Sequence, residues 1–144
     1  LAHDPLLAPI APDYAARWLK PEAPIKVYGN SYIVGFGGLS VGLIKTSQGL
    51  ILVDAALPQA VPAIEANIRA LGFKVTDIKL ILSTEPHYDH AGGLAALARD
   101  SGSVASAATE RYLMASRRVC KSMSPAFDVV SNADFTPGSV PSAR

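Results

Sequence analysis

The feature that most constrains this chain is a junction. The apolar run "IKLILS" (78–83) breaks directly into "TEPHYDHAGG" (84–93), and a string of alanines and leucines follows. A short apolar run flanked by polar residues reads as a buried strand, and "LAALARDSG" after it carries Leu94 and Leu97 at helical spacing. The chain must therefore build a sheet with helices laid on it, with a loop at the strand end. That loop carries four ligand-type side chains, Glu85, His87, Asp89 and His90, within six positions.

Imidazole nitrogen and carboxylate oxygen are both good donors to Zn²⁺ at about 2.0–2.2 Å. Alternation along an extended loop sends Glu85, His87 and Asp89 to one side, while His90 turns with the start of the helix. This spacing favours two neighbouring sites, Glu85 with His87 and Asp89 with His90, as in a binuclear hydrolytic centre. Gly92 and Gly93 then leave room for backbone to pass close to the metals. Taken singly, each residue has a plainer reading: Asp89 as a helix N-cap, Glu85 as a solvated loop carboxylate. Four donors so close behind a buried strand are harder to explain that way.

The rest of the chain supports a mixed α/β layer structure. The first 24 residues are rich in proline and alanine and read as an irregular lead-in that Trp18 and Leu19 dock on the core. From Ile25 the β-branched and aromatic pattern predicts strands over about 26–35, 39–46 and 50–54, with Asn30 in a bend and Ser47-Gln48-Gly49 in a turn. The last strand ends in Asp54, which either orients a ligand or caps the next turn. Val61, Ile64, Ile68 and Leu71 predict a helix over 58–71 stopped by Gly72. Further elements are expected at 78–83 (strand), from near Ala91 to Gly102 (helix), at 103–108 (strand) and at 109–118 (helix). The resulting organisation is a lead-in (1–24), a folded unit (25–118) and an irregular, Ser- and Pro-rich tail (119–144).

Composition excludes several classes. Apolar residues make up 49% and charged residues 17% of the 144, which describes an ordered globular chain. Thirteen basic against twelve acidic residues, with no basic clustering apart from Arg117-Arg118 and nearby Lys121, give no electrostatic case for nucleic acid or a membrane surface. Cys120 stands alone, so no intrachain disulfide forms. The chain begins at Leu1 rather than Met, which reads as the trace of a removed leader or a trimmed end.

At this point the sequence resembles the metallo-β-lactamase superfamily, whose hallmark is His-x-His-x-Asp-His after a buried strand. "VYGNSYIVG", "GLSVGLIKTSQGLILVDAALPQA", "IEANIRALGFKVTDIKLIL" and "HYDHAGGLAALARDSG" resemble the third subclass of class B β-lactamases, in order and spacing, over roughly residues 18–112. The resemblance implies the N-terminal half of an αβ/βα sandwich, two Zn²⁺ per complete site, a periplasmic or secreted enzyme, and hydrolysis of the β-lactam amide bond. By position, Glu85 and His87 would serve the first zinc, and Asp89 and His90 the second. Asp89 would also orient the zinc-held hydroxide that attacks the lactam carbonyl.

Two departures stand out. Glu85 replaces the motif's first histidine, exchanging a neutral donor for an anionic one. No histidine follows His90, so the family's later zinc ligands have no counterpart; His3 lies far upstream, and Cys120, Asp128 and Asp134 are the late donors. Two donors per zinc fall short of the three protein ligands of a catalytic site. The resemblance therefore implies a second copy of the chain or a complementing second half, and the tail reads as a truncation or a changed frame. The competing functions are a non-catalytic remnant of the fold and another hydrolase of the same superfamily, such as a thioester or phosphodiester hydrolase.

Overall fold

The computed structural model describes residues 4–10 and 12–107. The helix expected at 109–118 and the tail at 119–144 lie outside the described residues, as do His3, Cys120, Asp128 and Asp134.

Six strands form one sheet in sequence order. They are β1 (Ile25–Tyr28), β2 (Ser31–Ile33), β3 (Gly42–Thr46), β4 (Gly49–Val53), β5 (Ile78–Ser83) and β6 (Val104–Ala107). The first four pair antiparallel, because their connections are short. β4–β5 and β5–β6 pair parallel, and each parallel step is made by a helical crossover. The first crossover carries α2 (Val61–Ala70); the second carries α3 (Tyr88–Ala91) and α4 (Leu94–Ser101).

Strand alternation decides where the core lies. Leu43, Leu50, Leu52, Ile78 and Ile81 are buried against Val61, Ile64 and Ile68 of α2 and Leu97 of α4. Their alternates on the other side, Ile44, Ile51, Val53, Leu80 and Leu82, are half-buried or exposed. Ile44, Ile51, Leu80 and Val104 line up across four strands by register, so this second face is also apolar.

Several sequence expectations shift. The strand expected over 26–35 is a hairpin: Gly29, at φ +53, turns the chain between β1 and β2. A run of β-branched residues hides such a turn, since "GN" at its centre is the one local signal. Residues 34–41 form a loop before β3, with Val34 N–H donating to Val41 O and Phe36 N–H to Leu39 O. The helix expected over 58–71 opens with a 3-10 turn, Pro58–Ala60, and becomes α-helical at Val61. The single helix expected from Ala91 is two helices, broken at Gly92-Gly93, and it ends as expected at Gly102, a left-handed C-cap at φ +69.

The lead-in is more ordered than its prolines imply. Pro5–Leu7 form a 3-10 turn capped by Asp4, and α1 spans Pro12–Trp18. Trp18 and Leu19 pack against the core, as expected. Gln59 exchanges two hydrogen bonds with the Ile10 backbone, and Arg99 pairs with Asp4 at 2.7 Å. Proline fixes φ near the helical value and so starts a helix as readily as it breaks one.

Candidate metal centre

The four donors sit where β5 ends, and the backbone there is held from below. Ser83, buried at the last position of β5, donates its hydroxyl to the carbonyl of Glu85 at 2.7 Å. That bond ties the backbone of Glu85 back to the end of β5. His87 is the extended N-cap residue of α3, and its carbonyl accepts from the amides of His90 and Ala91. Asp89 and His90 follow inside that one-turn helix.

The glycine pair has a role that differs from the expected one. A Cβ at Gly93 would lie 2.4 Å from the Ala55 carbonyl oxygen, and one at Gly92 would lie 3.0 Å from that of Ala56. These glycines let the loop after β4 press against the α3–α4 junction. Ala55 N–H donates to His90 O, and Gly93 N–H to Ala56 O. The close approach is backbone to backbone, and it fixes His90 from behind.

Asp54 is the residue on which the loop turns. It leaves β4 at φ +65, a left-handed conformation that Asp tolerates better than most residues. Buried at 7% exposure, its carboxylate accepts three donors. Thr84 donates its backbone N–H at 2.7 Å and its hydroxyl at 2.8 Å, and His90 Nδ1 lies at 2.9 Å. His90 Nδ1 donates to Asp54, and Nε2 on the far side of the ring is aimed at the donor loop, 2.8 Å from Glu85 Oε1. Of the two readings open from the sequence, the geometry places the Asp54 carboxylate against His90 and Thr84 and not on the turn that follows β4. Thr84 had no sequence signal; a threonine beside a donor cluster is distinguished only by what it touches.

The four donors meet in pairs. Glu85 spans the two histidines, with Oε2 2.6 Å from His87 Nδ1 and Oε1 2.8 Å from His90 Nε2; Asp89 Oδ2 lies 3.7 Å from His90 Nε2. Burial pulls the His90 pKa down, but the hydrogen bond and charge of Asp54, with the charges of Asp89 and Glu85, outweigh it and hold the imidazole above 6.5. Tyr88 lies against the core and against Trp18.

This donor set fits a divalent metal by type but not yet by number. Ligands of one tetrahedral zinc stand about 3.3 Å apart, given bonds of about 2.0 Å. The two Glu85–histidine contacts are hydrogen bonds, shorter than that. Among the described residues, no three His, Cys, Asp or Glu side chains surround a common point as a ligand set. Also among the described residues, no helix is long and apolar enough to cross a membrane.

Comparison with known proteins gives this geometry a family. The model of the metallo-β-lactamase superfamily matches residues 34–119. Among solved structures, one characterised as the first B3 metallo-β-lactamase with an active-site glutamic acid is 58% identical, with a TM-score of 0.76, over 78% of this chain and 42% of that one. BJP-1, a subclass B3 enzyme of Bradyrhizobium japonicum, is 48% identical over 64% of this chain and 35% of its own, with a TM-score of 0.62. SMB-1, solved with 2-mercaptoethanesulfonate, is 45% identical over 61% and 34%, with a TM-score of 0.59. The chain thus spans less than half the length of these relatives. With its mixed sheet, its donor loop after β5 and its likeness to enzymes of subclass B3, the chain belongs to the metallo-β-lactamase superfamily.

Proposed function

We propose that this chain supplies the first part of the zinc centre of a hydrolase that opens the β-lactam amide bond. Glu85 and His87 serve one metal, and Asp89 and His90 the other. The observation that carries the reading is that Glu85 bridges His87 and His90 at the end of β5 with Asp89 beside His90, while Asp54 holds the His90 ring at Nδ1 so that Nε2 faces Glu85. The relative with an active-site glutamic acid supports Glu85 as a donor in place of histidine.

Zinc, when bound, supplies Lewis acidity and a nucleophile at neutral pH. The chain's own residues do the rest. Asp54 orients His90, Asp89 lies beside His90 in α3, and Ser83 ties down the Glu85 backbone. The remaining donors come from a complementing second half or from a second copy packed on the apolar outer face of the sheet. The substrate is a small-molecule β-lactam, the biological role is antibiotic resistance, and the place of action is the periplasm or the exterior, as resemblance to subclass B3 implies.

A second reading rests on a specific observation: among the described residues, each proposed metal has two protein donors and no third. On that reading the chain is a non-catalytic remnant of the fold. Calorimetric zinc titration and nitrocefin hydrolysis by the purified chain separate the two. The first reading expects stoichiometric zinc binding and chelator-sensitive turnover, by the chain alone or after adding a second-half polypeptide. Absence of any zinc binding in the micromolar range refutes it in favour of the remnant.

A further inference from the structure

The donor loop is held from one side by Asp54 and the 54–58 segment; its other support comes from the lead-in. The Tyr88 ring, between donors His87 and Asp89, packs on Trp18 with ring centroids 6.4 Å apart and planes tilted by 36°. Trp18 is itself fixed in place. Its carbonyl accepts from Gly38 N–H at 3.2 Å, and a Cβ on Gly38 would stand 2.6 Å from its Cα, so the 35–40 loop locks against it. Upstream, the same segment is tied down by Gln59 on the Ile10 backbone and by Arg99 on Asp4.

We infer that Trp18 is a positioning residue for the metal centre, acting through Tyr88. The physical reason is that α3 is a single turn. A helix this short has no stability of its own, because nucleating it fixes several dihedrals for one or two hydrogen bonds. Its shape is maintained by what its side chains pack against. Of its four residues, Asp89 and His90 face the donor cluster and Ala91 is buried, which leaves Tyr88 as the large apolar anchor. The lead-in therefore acts as a strap. It sets the angle of α3, and with it the spacing between Asp89, His90 and the donors before the helix.

This inference rests on the proposed metal reading for one of its measurements and is independent of it for the other. The first measurement is amide hydrogen exchange on the full metal-free chain, following the amides of His90, Ala91 and Gly92, which bond within α3. Trp18→Ala is expected to speed their exchange by about tenfold or more, while amides of the β3–β4 pair keep their protection. Trp18→Phe, which retains an aromatic contact, is expected to restore most of it. The second measurement is cobalt(II) titration followed by visible absorption, where Trp18→Ala is expected to weaken binding about tenfold, in the range typical for groups that orient ligands. Unchanged α3 exchange in Trp18→Ala overturns the inference, as does equal acceleration across the whole sheet, which would mean general destabilisation. If the unaltered chain binds no cobalt, the metal reading fails, and the exchange result still decides the role of Trp18.

Discussion

Replacing Asp54 by alanine removes the acceptor on which the donor loop turns. Thr84 N–H, the Thr84 hydroxyl and His90 Nδ1 all lose their partner. A part-buried amide without an acceptor costs about 1–2 kcal/mol, and a lost bond to a charged group about as much again. The hydroxyl can turn to water, since Thr84 is exposed, and adds little. Alanine at φ +65 adds about 1 kcal/mol more than aspartate does. The total is about 4 kcal/mol, and at about 3 °C per kcal/mol for a chain of this size the melting midpoint falls by about 12 °C. Asp54→Asn keeps an acceptor for Thr84 and tolerates the left-handed backbone, so its cost is confined to the His90 arm, about 1–2 kcal/mol. The assay is thermal unfolding followed by circular dichroism, with chelator present so that metal contributes nothing. A fall of less than about 3 °C for Asp54→Ala, or equal losses for the two variants, would refute the argument that Asp54 holds the loop through these three bonds.

Two further outcomes follow from the same geometry. Gly93→Ala drives a Cβ into the Ala55 carbonyl and Val61 and is expected to cost about 2–3 kcal/mol, whereas Gly72→Ala meets no atom within 4 Å and costs about 1 kcal/mol for its φ of +83 alone; parity between them in urea unfolding would contradict the close-approach reading. In the metal-free chain, the pKa of His90 is raised in the folded state, so its stabilisation is complete below about pH 6.5 and is lost as pH rises through the folded value. Its ring proton resonances should titrate with a midpoint above 6.5 that drops in Asp54→Asn, and a midpoint at or below 6.5 would count against the carboxylate cage.

The sequence and the fold divide the credit unevenly across the molecule. The strand at 78–83 was fully legible, since a run of apolar residues with a polar loop at its end leaves few alternatives. The hairpin at Gly29 was legible only as a bend at Asn30, because both arms share one β-branched composition and the pairing of the two arms is settled by backbone geometry. The lead-in was underestimated for a related reason: proline content reports what a segment cannot continue, not what it packs against.

The sequence by itself determined which donors exist and how far apart they lie along the chain. Glu85, His87, Asp89 and His90 are close because they are covalent near-neighbours, and no fold could scatter them widely. Tertiary structure alone decided how they face one another. Asp54 reaches His90 across 36 positions, and Trp18 reaches Tyr88 across an even longer separation. Such contacts depend on which strands pair in parallel and which helix crosses between them. Local sequence sets the chemistry of a loop, but only packing from distant segments fixes its angles.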